Sequence, residues 1–165
     1  MPESTPDLTN PAEQGRFVLE LANKYARGKR SLVDFRREFF PTRNDVEAAP
    51  FHHEWSRMLL TGDKNEAIEG FRESAKTTYV MRTFPIYCLV YPSYALDFIA
   101  LISADEDTAR DKLDSIKKEY AVRPYLSTNL VEVVEDNEDA YEVLVRPYGN
   151  GEPIPVRIAV FGKGS

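Results

Sequence analysis

Apolar residues recur at helical spacing through the first third of the chain. Residues three or four apart share one face of a helix, and three such faces follow one another along the sequence. Asn10 and Ser31 stand where the first two helices would begin and are good helix caps, while Pro50 suits a first turn. The apolar faces consist of Phe17, Leu21 and Tyr25, of Leu32, Phe35 and Phe39, and of Phe51, Trp55 and Met58. We therefore expect a helical region here, with residues 1–9 disordered.

The pattern changes near residue 67. Residues 67–71 form a short strand-like run, and residues 77–91 are apolar nearly all round, which predicts a buried helix. Pro85 should kink that helix because it removes a backbone donor, and Pro92 should end it. Residues 98–102 show no alternation, which is typical of a strand covered on both faces. An amphipathic helix is expected over 105–120, capped from residues 103–106.

Alternation sets in over the last third of the chain. Residues 130–134, 141–145 and 156–161 read as strands, and residues 135–139 and 148–151 read as the turns between them. Helices followed by strand, helix, strand, helix and a β-meander predict an α/β fold. We expect a three-layer α/β/α sandwich, present in part, with an antiparallel meander at its C-terminal end.

The composition indicates the cellular compartment of the protein but does not indicate its activity. The chain has 165 residues, a single cysteine, Cys88, and a formal net charge of −6. One cysteine favours a reducing compartment such as the cytoplasm, and no apolar stretch is long enough to span a membrane. The acidic balance gives no support for nucleic-acid binding by charge alone. The basic residues that do cluster, either as a solvated helix face or as a DNA-facing patch, are Lys24, Arg27, Lys29, Arg30, Arg36 and Arg37.

The most informative segment is residues 70–78, called the phosphate cradle below. Residues 70–77 match the phosphate-loop pattern G-x-x-x-x-G-K-[ST], except that Ala75 replaces the second glycine. A loop wrapped before a helix start turns unpaired backbone amides onto a phosphate. Lys76 would add positive charge, and the Thr77 hydroxyl would ligate Mg²⁺. The predicted ATP-contacting residues are Gly70, Phe71, Arg72, Glu73, Ser74, Ala75, Lys76, Thr77 and Thr78.

Two residues of the cradle are catalytic candidates. Lys76 would contact the β- and γ-phosphates, and Arg72 would meet developing charge on the γ-phosphate or instead pair with Glu69 or Glu73. The acids at 105–106 suit a helix start, and those at 132–136 suit a hairpin. The Mg²⁺-binding acidic strand is therefore expected beyond Ser165. His52 and His53 lack a third metal ligand and are expected on a helix surface.

These segments together resemble the ATPase domain of large terminase subunits, the motors that package viral DNA. Residues 51–55 look like the helix that precedes the family's phosphate loop, and residues 70–78 look like its deviant loop, in which arginine and a small residue come before Lys-Thr. Residues 98–119 look like its second strand and helix, and residues 158–165 like a later strand and glycine turn.

The resemblance implies a partial P-loop ATPase domain over residues 50–165, preceded by a helical region over 1–49. It implies ATP and Mg²⁺ as cofactors, with double-stranded DNA, the small terminase and the portal as partners of a homo-oligomeric ring. Arg72 matches the loop arginine implicated in hydrolysis. The nuclease domain would be missing from this chain. Alternatives are a helicase-like or defence-system P-loop ATPase, or a non-catalytic interaction module with a degenerate loop.

Overall fold

The computed structural model describes residues 10–41, 47–61, 68–69, 74–93, 95–123, 125–147 and 151–162. Across these ranges the chain forms five helices and a four-stranded mixed sheet. The helices are α1 (Pro11–Gly28), α2 (Leu32–Phe39), α3 (Pro50–Thr61), a continuous α4 assembled from Lys76–Thr78, Tyr79–Thr83 and Phe84–Val90, and α5 (Glu106–Val122). The strands are β1 (Phe98–Ser103), β2 (Leu130–Asp136), β3 (Ala140–Val145) and β4 (Ile154–Gly162).

The first two helices begin where the cap residues predict. The Asn10 side chain accepts a hydrogen bond from the Ala12 amide, and the Ser31 hydroxyl accepts one from the Asp34 amide. Each donor–acceptor distance is 3.0 Å. A side-chain oxygen thus satisfies an amide that a helix start leaves without a partner. Both predicted caps are confirmed.

An aromatic cluster holds α1 and α2 together. Tyr25 and Phe39 meet edge to face with ring centroids 5.2 Å apart, and both are fully buried. A Cβ at Gly28 would stand 2.7 Å from the Phe39 ring, so the two helices approach as closely as they do only because this residue is glycine. The prediction of a solvated basic face is wrong for Arg36, which is buried, whereas Arg27 is exposed and pairs with Glu38.

Helix α4 runs through the middle of the molecule. Residues 86–90 are buried, as predicted, and the helix ends at Val90, just before Pro92. The predicted disturbance at Pro85 takes the form of a π-helical segment over Tyr79–Thr83, one turn earlier. Because proline has no amide to donate to that turn, the wider π-helical spacing accommodates the missing bond. The Thr83 hydroxyl donates to the Thr78 carbonyl across this segment (2.8 Å).

The sheet has the order β1-β4-β3-β2. Strands β2, β3 and β4 form the predicted antiparallel meander, and β4 pairs with β1 in parallel, with Ala100 opposite Ala159. A parallel partner reached through a helix is expected of an α/β fold. The mixed α/β class predicted from the sequence is therefore confirmed.

One face of the sheet packs against α5, and on the opposite face the β1 side chains are largely exposed. Leu101, Ile158 and Val160 point into the core, whereas Phe98 and Ile102 are 55% and 71% exposed. The prediction that β1 is covered on both faces is therefore wrong for the described residues. A continuous apolar run shows that a strand can be buried on both faces, but it does not show that other segments of the chain cover both faces. The third layer of the predicted sandwich is not formed by the parts of the chain described.

The strand expected before the cradle is not observed. Ile68 and Glu69 have no strand structure, and the other residues of the run 67–71 lie outside the described ranges. Among the helices described, none combines the length and the apolar character needed to cross a membrane.

Candidate functional site

The site begins at the residue that precedes α4. Ala75 has φ 59° and ψ 19°, a left-handed backbone that no other non-glycine residue adopts within the described ranges. Glycine takes this conformation readily, whereas an L-residue with a Cβ resists it. Ala75 therefore occupies the second-glycine position of the phosphate-loop pattern and also holds a backbone conformation that favours glycine.

Helix α4 starts without a side-chain cap. The Tyr79 amide donates to the Ala75 carbonyl (3.0 Å), so helical pairing begins at Ala75, and within the described residues no side chain is seen to accept from the first turn. The opening amides of a helix carry partial positive charge and need an acceptor. Lys76 and Thr77 lie in this first turn, with Lys76 half-buried and Thr77 exposed. A phosphate is a suitable acceptor at such a position.

Ser74 adds a second unsatisfied group. Its side chain is only 3% exposed, and its hydroxyl oxygen has no hydrogen-bond partner within the described part of the chain. Buried hydroxyls in folded proteins are nearly always hydrogen-bonded. The buried Ser74 hydroxyl lies next to the helix start, and its partner is not among the described residues.

His52, on the first turn of α3, holds the carbonyl of Ser74. The imidazole Nδ1 accepts from the Ala49 amide (3.0 Å), which places the ring proton on Nε2. Nε2–H then donates to the Ser74 carbonyl oxygen over 2.9 Å. One side chain thus ties the start of α3 to the residue before the left-handed turn.

The His52 ring is fixed from the side by Tyr79. The two rings stack with centroids 4.4 Å apart and planes inclined by 15°. The Arg36 guanidinium lies 4.8 Å from the Tyr79 ring centroid and donates to the Thr83 hydroxyl (3.3 Å). Burial raises the pKa of Tyr79, and the charge of Arg36 partly opposes that rise, so the phenol is neutral at physiological pH.

A cleft of about 250 Å³ lies beside the first two turns of α4. Its walls are mainly apolar, with one ammonium and one hydroxyl group at the helix start. Such walls can contact an apolar group, with the polar groups grouped at the helix start. The described residues that line it are Leu59, Ile68, Lys76, Thr77, Val80 and Met81.

The described part of the cradle, residues 74–78, is assembled at one helix start as the motif predicts. Gly70, Phe71, Arg72 and Glu73 lie outside the described residues, and their predicted roles stay predictions. Asp105 accepts from the Thr108 amide (3.2 Å) and caps α5. Glu135 belongs to the β2–β3 hairpin and pairs with Arg157. Both acidic segments therefore have the structural roles favoured from the sequence.

The prediction for the two histidines is right for one and wrong for the other. His53 is exposed on α3, whereas His52 is half-buried and bonded at both ring nitrogens. The sequence did carry one signal, since His52 stands three residues before the buried Trp55 and so shares its helix face. Nothing in the sequence indicated the bond to Ser74.

Metal-binding residues of the usual kinds do not gather within the described ranges: no three or more histidine, cysteine, aspartate or glutamate side chains are placed to hold an ion. The single hydroxyl expected to ligate Mg²⁺, that of Thr77, is accessible at the start of α4. No protein-family model, curated protein or solved structure matches this chain.

Proposed function

We propose that the chain binds Mg²⁺–ATP at the start of α4 and is the ATP-binding part of a DNA-packaging motor of the terminase type. The observation that carries the proposal is the left-handed backbone of Ala75 directly before Lys76 and an uncapped helix. This is the local geometry that the phosphate-loop pattern requires of its second glycine.

Among the described residues, the helix start presents backbone hydrogen-bond donors and one positive charge. The first-turn amides and the Lys76 ammonium favour an anion. Such a site attracts a polyphosphate and disfavours a neutral or cationic ligand. Thr77 would supply one oxygen ligand to Mg²⁺, the remaining ligands being phosphate oxygens and water, as is usual for this ion.

The apolar cleft beside the same turn would hold the nucleoside. Lys76 and Thr77 belong both to the helix start and to the cleft wall, so a single ligand can place phosphates on the amides and its base against Val80 or Met81. The proposed site therefore provides for both halves of a nucleotide.

The terminase assignment adds coupling to DNA. In this proposal the whole motor hydrolyses ATP with help from Arg72 and an acidic strand, and translocates double-stranded DNA with the small terminase and the portal. The ordered resemblance from residue 51 to the cradle supports it, together with the confirmed strand, helix and meander that follow.

Nucleotide titration of matched lysine variants tests the binding site. Wild type, Lys76→Ala and Lys118→Ala are titrated with a fluorescent ATP analogue in Mg²⁺ buffer. Lys118 is a suitable control because its side chain is 73% exposed on α5, so its removal subtracts the same charge away from the site. Lys76→Ala should weaken binding by about tenfold or more, the usual contribution of a hydrogen bond to a charged group.

Equal affinity of wild type and Lys76→Ala would overturn the site. Absence of binding by the wild type, together with no thermal shift in millimolar Mg²⁺–ATP, would favour the interaction module instead, because a ligand that binds only the folded state must stabilise it. Binding that depends on Lys76 without any DNA-stimulated function in the full-length protein would favour another P-loop ATPase.

A further inference from the structure

We infer that His52 is a positioning residue of the α4 start: its Nε2–H holds the Ser74 carbonyl so that Ala75 stays in the left-handed conformation. The inference rests on the proposed function, because it concerns how the same site is kept ready for a polyphosphate. His52 would touch neither nucleotide nor metal and would act only through the backbone of Ser74.

The need for such a restraint follows from Ala75. Left-handed backbone is unfavourable for an alanine, and a strained conformation persists only where the surrounding structure enforces it. The carbonyl of Ser74 belongs to the peptide unit that leads into Ala75. A donor fixed 2.9 Å from this oxygen limits rotation of that peptide unit.

The His52 ring is itself restrained from two directions. Its Nδ1 accepts a hydrogen bond from the Ala49 amide, and this selects the tautomer that carries the proton on Nε2. Stacking on Tyr79 fixes the plane of the ring. Tyr79 belongs to the π-helical segment one turn after Ala75, so the restraint spans both sides of the strained residue.

The charged and titratable groups around this ring come from separate elements. Arg36 of α2 lies over Tyr79, and Tyr79 of α4 stacks on the ring itself. Trp55 packs against His52 edge to face, with centroids 5.5 Å apart, on the same helix. The ring is therefore held in a largely aromatic setting in which the bond to Ser74 is its link to the cradle.

Four single substitutions separate the contributions of this side chain. His52→Gln keeps a donor near the place of Nε2, and His52→Asn keeps an acceptor near the place of Nδ1 without reaching Ser74. His52→Phe keeps the ring stacked on Tyr79 and loses both hydrogen bonds. His53→Ala is the matched control, since the neighbouring histidine is exposed on the same helix.

Two measurements are made on each variant. The first is affinity for a fluorescent ATP analogue with Mg²⁺, and the second is amide hydrogen exchange over residues 74–80 in the absence of nucleotide. His52→Phe and His52→Asn should bind about three- to tenfold more weakly, the factor that one hydrogen bond of ordinary strength supplies. Their exchange at the Tyr79 amide should be faster, because that amide bonds to the Ala75 carbonyl. His52→Gln and His53→Ala should resemble wild type in both measurements.

The two measurements distinguish failure of this inference from failure of the proposed function. If wild type binds the analogue and His52→Phe and His52→Asn bind it equally well, positioning by His52 is overturned. If wild type does not bind, the proposed function fails, and unchanged exchange in His52→Phe would then overturn the restraint as well. Loss of binding in His52→Gln equal to that in His52→Phe would also contradict the inference, because the donor would not be what matters.

Discussion

Helices α2 and α4 begin in opposite ways. Helix α2 follows Ser31, whose backbone is extended (φ −163°, ψ 162°) and whose hydroxyl accepts from the Asp34 amide. Helix α4 follows Ala75, whose backbone is left-handed and whose side chain has no acceptor to offer. A cap side chain satisfies one of the opening amides of its helix without a ligand, whereas a start whose preceding residue has no such side chain leaves that amide available for an anion.

The contrast extends to the cost of each helix start. An extended serine cap stabilises a helix, whereas left-handed alanine destabilises the chain locally. Strain of this kind concentrates at functional sites, where neighbouring contacts maintain it. The α4 start is the strained one, and it is also the one that carries lysine and threonine in the phosphate-loop order.

The largest expected effect comes from giving α4 an acceptor of its own. Ala75→Asp places a carboxylate where a phosphate would lie, and aspartate accepts left-handed backbone better than most residues. The affinity for the Mg²⁺–ATP analogue should fall by about tenfold or more, because like charges repel at close range. Thermal stability without nucleotide should stay level or rise, because a negative charge is favourable at a helix start.

Ala75→Gly serves as the control for that substitution. Glycine accepts the left-handed backbone without strain, so binding should equal or exceed that of wild type. Both variants are compared by fluorescence titration and by thermal unfolding. Undiminished affinity in Ala75→Asp would show that the α4 start does not receive the phosphates.

At α2 we expect a smaller effect, and on stability rather than on nucleotide affinity. Ser31→Ala removes the acceptor for the Asp34 amide, so the free energy of unfolding should fall by about 1 kcal/mol. Affinity for the nucleotide analogue should not change, because the α2 cap already has its acceptor within the chain. Urea denaturation measures the first quantity and titration the second. A loss of affinity without a loss of stability would remove the distinction between the two helix starts.

The smallest effect concerns α5, whose cap can be titrated. The hydroxyl and then the amide of Thr108 donate to Asp105 and hold the pKa of its carboxyl below the ordinary value. A depressed pKa in the folded state means that the cap stabilises the fold above the unfolded-state pKa of about 3.9 and loses this contribution as pH falls further. Asp105→Asn still caps but does not ionise, so its stability should fall less between pH 6 and pH 3.

Urea denaturation of wild type and Asp105→Asn at those two pH values checks this expectation. An equal fall in the two proteins would mean that the Asp105 carboxylate contributes nothing specific to α5. At the α4 start the residue in the cap position, Ala75, has no side chain to titrate.

Much of the architecture was predictable because its signals are local. Asn10 and Ser31 correctly predicted two helix starts, because their side chains bond to amides only two or three residues further along the chain. Pro92 marked the end of α4, and alternation over residues 130–161 marked three strands. Each of these features depends on neighbours in sequence, which a linear pattern contains.

The errors arose where long-range packing decides. The lack of alternation in residues 98–102 indicated cover on both faces, yet Phe98 and Ile102 are largely exposed, because cover depends on which other segments arrive. Arg36 was placed in a basic cluster but is buried beneath α4, next to Tyr79 and Thr83. The charge and hydropathy of the sequence do not show that Arg36 packs against residues of α4.

The sequence by itself determined the helix caps, the strand pattern and a phosphate-loop motif that departs from its consensus at Ala75. Only the tertiary structure decided that Ala75 takes up the left-handed conformation regardless, and that His52, 22 positions before Ser74, holds the preceding carbonyl. The physical reason is that a strained backbone is not favoured by its own residue. It persists only when contacts from other helices, brought together by burial of the core, outweigh its local cost.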